Sequence, residues 1–401
     1  MPYRYVIVGG GLAAASAIEG IRSQDSEGSI LLMSRENHLP YQRPPLTKEL
    51  WYGALKLDAL PLHPDEWYVE QKVEVHLRQE VVEIDPDKQV VWPERGESIE
   101  YGELLLATGC RPRRLSAQGA ETSNVRYFRD LEDYLDLEGR LDLLQHATIV
   151  GGWFTAVDLA LALRSRRVEV TLVLPDEYPL YRMLPREIGM GLLDFLREQE
   201  IEIVSDETLV RIDEAGGMLR GRTYHGNDLD TQLVLVDQGC EPVSDLAEAA
   251  GLDIDDGVVV DEYGHASKPH VWAAGDVAEF PYLALGMLRR VEGTDHAEHH
   301  GRTVGANMAG ANRAYGHLPL KWFRVGDLLF EGVGELSTRM HTEIVWLEPG
   351  REGVVYYVEE EVVRGVMLIN AHDRIEWARG LVRDTKQTSA AERASMAGAK
   401  A

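Results

Sequence analysis

A β-branched run, Val6-Ile7-Val8, breaks directly into Gly9-Gly10-Gly11 and continues as an alanine-rich helical pattern from Leu12 to Ile21. Few architectures accept that order. Strand, tight turn and helix in succession open a βαβ unit, and Gly9, Gly11 and Ala14 fit the spacing G-x-G-x-x-G/A. The first glycine makes the turn, the second lets a diphosphate approach the backbone, and the small third residue packs helix against strand. The free N–H groups and partial positive charge of the helix N-terminus then suit an anion. A dinucleotide site is therefore expected at the carboxyl end of the first strand.

The rest of the chain has room to complete it. At 401 residues the sequence accommodates two or three domains, and 44% hydrophobic residues supply their cores. A formal charge of −26 disfavours nucleic acid and anionic membrane surfaces as partners. No apolar run approaches the roughly 20 residues that span a bilayer. The first strand also begins at once, so a soluble, cytoplasmic protein is expected. The two cysteines, Cys110 and Cys240, form no C-x-x-C pair and are read as buried packing residues rather than a dithiol relay.

The next strand, Ser29 to Met33, ends near Glu36, a carboxylate suited to the hydroxyls of an adenosine ribose. Then comes Leu39-Pro40-Tyr41-Gln42-Arg43-Pro44-Pro45-Leu46-Thr47-Lys48. The prolines stiffen an extended chain, and Arg43 offers a charge-assisted fork to a diphosphate. This string resembles the segment that crosses the flavin in apoptosis-inducing factor and in the ferredoxin reductases of bacterial oxygenase systems. The resemblance implies FAD, with Lys48 directed at the flavin ring, where positive charge favours the reduced cofactor. It also implies that Val81 meets the adenine through its backbone, that Ala107-Thr108-Gly109 returns the chain to FAD, and that Arg113, flanked by Arg111 and Arg114, lies near it.

Two later stretches extend the likeness. Val271-Trp272-Ala273-Ala274-Gly275-Asp276 resembles the second FAD fingerprint, a buried strand whose terminal carboxylate holds the ribityl chain. Arg289 to Ala297 resembles the segment that opens a helix beneath the flavin pyrimidine. There Glu292, Gly293 and Thr294 would meet the cofactor, and the helix N-terminus would stabilise negative charge. Asp295, His296, His299 and His300 lack a distant ligand set and are read as helix-surface residues rather than a metal centre.

A second βαβ unit starts at Ala147 and turns at Gly151-Gly152-Trp153-Phe154-Thr155-Ala156. In the resembled family this unit binds NAD(P)H. Gly151 and Ala156 fit the first and third small positions, but Trp153 takes the second, where a diphosphate would approach. An indole there either swings clear or fills the site. Asp158 stands where the family pairs a Glu with the lysine beside flavin N5, which makes Lys48 and Asp158 the expected catalytic pair. Phe154 matches an aromatic over the flavin, and Gly239 falls in the hinge between the two nucleotide domains. Asp176 suits the 2′-hydroxyl of NADH, with no Arg or His nearby for a 2′-phosphate. Trp322 matches a tryptophan packed on the flavin, although Arg324-Val325 replaces the usual Ser-Asp after it. Glu331 matches a residue facing the nicotinamide.

The expected fold is α/β: two Rossmann-like dinucleotide-binding domains (FAD and NAD type, glutathione-reductase-like) and an α+β C-terminal domain. The FAD domain is expected at 1–113 and 235–305, the NAD(H) domain at 114–234, the C-terminal domain at 306–384 and a disordered tail at 385–401. The resemblance implies an FAD-containing oxidoreductase that passes electrons from NADH to a quinone, oxygen or a one-electron carrier; a symmetric homodimer is the default expectation for its assembly. Two alternatives stand beside it: an FAD-binding electron-transfer subunit that has lost nicotinamide, and a ferredoxin reductase component.

Overall fold

The computed structural model describes residues 2–398. Strand Tyr3–Val8 pairs in parallel with Ile30–Met33 on one side and Ile99–Leu106 on the other. Val73–His76 and Val271–Ala273 extend the sheet, also in parallel. Parallel strands covered on both faces need continuous apolar runs, which is why Ile30-Leu31-Leu32-Met33 and Leu104-Leu105-Leu106 carry no polar residue and are buried throughout. The registers Val8↔Met33, Val8↔Leu106 and Leu106↔Ala273 bring the strand ends level. The strand order reverses at Tyr3–Val8, which leaves a crevice beyond that end.

A second parallel sheet runs Glu202–Val204, Glu169–Val173, His146–Gly151, Leu233–Asp237, Val125–Tyr127. A three-stranded antiparallel sheet, 209–231, packs Leu209, Ile212 and Leu219 onto Val150, Val173 and Val234 of this unit. The chain crosses between the two parallel sheets through Cys110–Pro112 and Cys240–Pro242, which pair antiparallel.

Helices Leu12–Arg22 and Thr294–Met308 lie side by side in the same direction. A Cβ on Gly20 would stand 2.1 Å from Arg302 O, one on Gly301 2.3 Å from Ala13 O, and one on Gly305 2.1 Å from Ala17 O. Such close approach needs glycine at the contacts, and it delivers both helix N-termini to one crevice. The C-terminal part is a five-stranded antiparallel sheet in the order Leu320–Val325, Leu328–Gly334, Val362–Ile369, Glu352–Glu359, His341–Glu348. The architecture is thus two Rossmann-like units with an α+β addition.

The tail departs from its expected disorder. Ala390–Gly398 is a helix, and Arg393, 1% exposed, is held by Glu343 at 2.6 Å and Glu361 at 3.2 Å. One anchoring arginine in a small, polar stretch supplies the docking that composition concealed; residues 399–401 lie outside the described residues. Among the described residues, no helix is long and apolar enough to cross a membrane.

Candidate active site

A cavity of about 1680 Å³ opens where the carboxyl ends of the two parallel sheets and the segment Leu320–Phe323 meet. Its floor is the first glycine-rich turn. Gly9 has φ +131°, and a Cβ there would lie 2.1 Å from Ala107 O. Gly11 has extended backbone, and a Cβ on it would meet nothing within 4 Å. Ala14 is fully buried between helix and sheet. Gly9 is therefore demanded by the chain itself, whereas the openness at Gly11 fits the close approach of a diphosphate to a helix N-terminus.

Glu36 and Arg43 both line this cavity and bind one another at 2.6 Å, with the Tyr41 hydroxyl donating to Glu36 at 2.7 Å. Arg43 also donates to the Arg129 carbonyl at 2.9 Å. Val81, Ala107, Thr108, Gly109 and Arg113 form part of the same wall, and the Thr108 hydroxyl is fixed by Val243 O at 2.6 Å. Gly275, at φ +76°, sits 2.8 Å (as a Cβ) from Ala13 and turns Asp276 into the cavity. The Asp276 carboxylate accepts from Arg129 at 3.1 Å. Glu292, paired with Arg290 at 2.7 Å, leads into Gly293 and Thr294 at the second helix N-terminus. Trp322 is 40% exposed on the cavity wall and is not a core tryptophan.

Lys48 forms an ion pair with Asp158, and Thr47 donates to the same carboxylate oxygen at 3.0 Å. Burial pushes the Asp158 carboxyl above its usual range, and the Lys48 ammonium opposes that shift. Both residues line the cavity, so the proline-rich segment that ends at Lys48 and the helix Phe154–Ser165 of the second unit are joined at the site.

The second turn repeats the first. Gly151 has φ +136°, and its Cβ would lie 1.9 Å from Asp237 O. Trp153 takes the extended backbone of the helix N-cap, and its half-buried indole packs 4.9 Å from Phe154, which in turn lies 4.9 Å from Phe323. Ala156 is fully buried, and its N–H donates to the Asp237 carboxylate at 2.8 Å. Phe154, Asp176 and Gly239 line the cavity. Glu331 does not: it stands opposite Trp322 in register, but its carboxylate is taken by His372 at 3.1 Å, away from the cavity wall.

Two expectations about side-chain clusters need correction. The four residues near 295–300 are not uniformly on the helix surface. His296 and His300 are fully buried against Phe280, and burial draws His296 down to about 3. Asp295 accepts from His317 at 2.6 Å, His299 stacks on His317 at 3.8 Å, and the Arg379 guanidinium stands 3.3 Å from His317 Nε2. The cysteines are not separate packing residues either, for their sulfurs lie 2.9 Å apart on the paired crossings. Each follows a glycine of positive φ, Gly109 and Gly239, a repeat that the sequence displays. Arg129 and Lys321 escaped sequence reasoning. No motif marks Arg129, and Lys321, whose ammonium burial draws down while Glu292 raises it, reads locally as one strand residue among others.

Residues 3–301 match the family model described as pyridine nucleotide-disulphide oxidoreductase. Apoptosis-inducing factor 1, mitochondrial, of Dictyostelium discoideum is 29% identical over 95% of this chain and 78% of its own length. Rubredoxin-NAD(+) reductase of Pseudomonas putida is 29% identical over 89% of this chain and 94% of its own. Among solved structures, the ferredoxin reductase for the CYP199A2 system from Rhodopseudomonas palustris is similar with a TM-score of 0.89 at 28% identity, covering 96% of each chain.

Proposed function

The chain belongs to the pyridine nucleotide-disulphide oxidoreductase family, and on that footing we propose that it is an FAD-containing reductase taking electrons from NADH and passing them to a small external one-electron carrier. One observation carries the reading: a single cavity receives both glycine-rich turns, with the Lys48–Asp158 pair between them. Bound FAD supplies the hydride acceptance and the stepwise electron release.

The chain's own residues divide the binding. Gly9, Gly11, Ala14 and the helix they open would hold the diphosphate, with Arg43 exchanging its Glu36 partner for phosphate oxygens and Glu36 freed for the ribose. Val81, Ala107, Thr108, Gly109 and Arg113 would enclose the adenosine half. Gly275 and Asp276 would hold the ribityl chain, and Glu292, Gly293 and Thr294 would present a helix N-terminus to the pyrimidine edge. Asp158 fixes the Lys48 ammonium within the cavity, and Trp322 would cover the ring. Gly151, Phe154, Ala156, Asp176 and Gly239 would receive NADH once Trp153 has moved. Glu331, turned to His372, is left out of that set. The carrier is favoured over quinone or oxygen because relatives of this chain are named as reductases of rubredoxin and ferredoxin.

A second reading rests on Trp153. Its packing against Phe154 favours a closed nicotinamide site, in which case another protein would supply the electrons. Anaerobic titration of the flavin-loaded chain with NADH, followed at the flavin band near ~450 nm, separates the two. Stoichiometric bleaching is the expected result. A band that ignores NADH yet bleaches with dithionite would overturn NADH as donor and establish the second reading.

A further inference from the structure

Cys110 and Cys240 are the two cysteines of the chain. They stand one on each crossing between the parallel sheets, where Cys240 pairs with Pro112 and Pro242 with Cys110. Offsets of two place both side chains on one face of the ribbon, diagonal to each other. At 2.9 Å the sulfurs are inside ordinary non-bonded contact. Glu292 Oε2 lies 2.9 Å from Cys240 Sγ and Asp276 Oδ2 3.4 Å from Cys110 Sγ. Electron flow from NADH through the flavin to a carrier uses neither sulfur.

We propose that Cys110 and Cys240 form a reversible disulfide that locks the base of the second nucleotide-binding unit. The bond would join positions 130 residues apart, and the interval contains the whole second parallel sheet with its antiparallel addition. Two unlinked crossings act as a hinge, and a covalent tie between them holds one nucleotide unit against the other. The sulfurs need to close by less than ~1 Å to reach the bond length of about 2.05 Å. An ion fits the gap less well. Two thiolates on one tetrahedral zinc at about 2.3 Å each stand ~3.8 Å apart, and the Arg129 guanidinium, within electrostatic reach of both sulfurs, repels a cation.

The oxidant is a low-molecular-weight disulfide such as glutathione disulfide. Cys240, part exposed at the cavity, passes its proton to Glu292 and attacks one sulfur of that disulfide, expelling a small thiolate that takes the proton back from Glu292 and leaves as one small thiol. Cys110 then attacks Cys240 Sγ of the mixed disulfide, and its proton leaves with the second small thiol. Two protein thiols become one protein disulfide while one small disulfide becomes two thiols. Contact with Cys110, burial and the Glu292 charge hold the Cys240 thiol well above its usual range, with Arg129 opposing them. Such a thiol exchanges slowly, as suits a lock more than a fast relay.

The test incubates the flavin-loaded full chain with glutathione disulfide, blocks residual thiols and maps its peptides. The expected result is loss of both thiols together, a peptide joining Cys110 to Cys240 that is lighter by two hydrogens, and reversal by dithiothreitol. Cys110→Ser should instead retain one glutathione on Cys240. Persistent free thiols, glutathione retained on the native chain, or cross-links between chains would overturn the proposal. So would equimolar Zn²⁺ that binds and protects both thiols, since the pair would then be a metal site. The native peptide map needs no variant and reads sulfur oxidation whether or not NADH reduces the flavin.

Discussion

Gly9 and Gly151 occupy the same point of the two βαβ units, with φ of +131° and +136°. Each would drive a Cβ into a carbonyl of the neighbouring strand, Ala107 O at 2.1 Å and Asp237 O at 1.9 Å. Two positions on, Gly11 and Trp153 also match in backbone, at φ −99° and ψ −172° against φ −92° and ψ −171°. Those angles are open to any residue. The chain's own geometry therefore demands glycine at 9 and 151, but demands nothing at 11. A glycine that neither backbone nor packing requires marks room kept for something other than protein. A tryptophan on the same backbone marks room that the protein has filled.

The largest effect should come from breaking what the turns share. Gly9→Val and Gly151→Val each combine a positive φ with a clash against backbone, and each should remove more than about 4 kcal/mol. Urea unfolding checks both. If either valine costs less than about 1 kcal/mol, the two turns are not equivalent in solution. The reciprocal exchange tests where they differ. Gly11→Trp should leave the unfolding midpoint in place yet weaken FAD at least 100-fold, about 2.7 kcal/mol. Trp153→Gly should tighten NADH about 10-fold, or about 1.4 kcal/mol, by calorimetry. FAD binding at native strength in Gly11→Trp would sink the idea that Gly11 is kept for a ligand.

The comparison also explains what could be read from sequence. Both turns, the buried strand Leu104 to Leu106 and the segment around Lys48 are local patterns, and local patterns carry their period and spacing in one dimension. The antiparallel pairing of two crossings 130 positions apart does not, so the Cys110–Cys240 contact is not legible in sequence although Gly-Cys occurs at both. Arg129 is similar. Its role comes from Asp276 and Arg43, which lie far away in sequence. The C-terminal helix is not legible in composition because its anchor, Arg393, finds its acids far away in sequence, Glu343 on a strand and Glu361 in a hairpin turn. Trp153 was readable as a departure, but which way its indole points depends on Phe154 and on Phe323 of the C-terminal sheet.

The Lys48–Asp158 pair links the two units, and breaking it sharpens the comparison at a smaller scale. Lys48→Met strands a largely buried carboxylate and should cost about 2 kcal/mol of stability, discounted for the pair's partial exposure. Lys48→Met with Asp158→Leu should recover most of that loss, because no unpaired charge remains. Chemical unfolding of the four members of this cycle decides it. Additive losses would mean that the pair contributes no coupling between the units.

The finest contrast lies at a position where the turns differ by one side chain. The residue beside Gly9 is Ala107, and its counterpart beside Gly151 is Asp237. Asp237 accepts the Ala156 N–H at 2.8 Å, so the second helix begins against a carboxylate of the chain's own, where the first presents a methyl group. Burial pushes the Asp237 carboxyl up to about 6, chiefly by penalising its charge. Its unfolded value is near ~3.9. Between about pH 4 and 6 the folded chain thus holds a proton that the unfolded chain has lost, and stability falls as pH rises, with a slope of at most about 1.4 kcal/mol per unit. Asp237→Asn keeps the acceptor and removes the titration, so its stability relative to the native chain should improve as pH rises through that window and level off above it. Urea midpoints for both proteins at intervals across the window read this directly. Parallel curves would show that Asp237 titrates alike in both states and that the second turn, like the first, carries no charge penalty of its own.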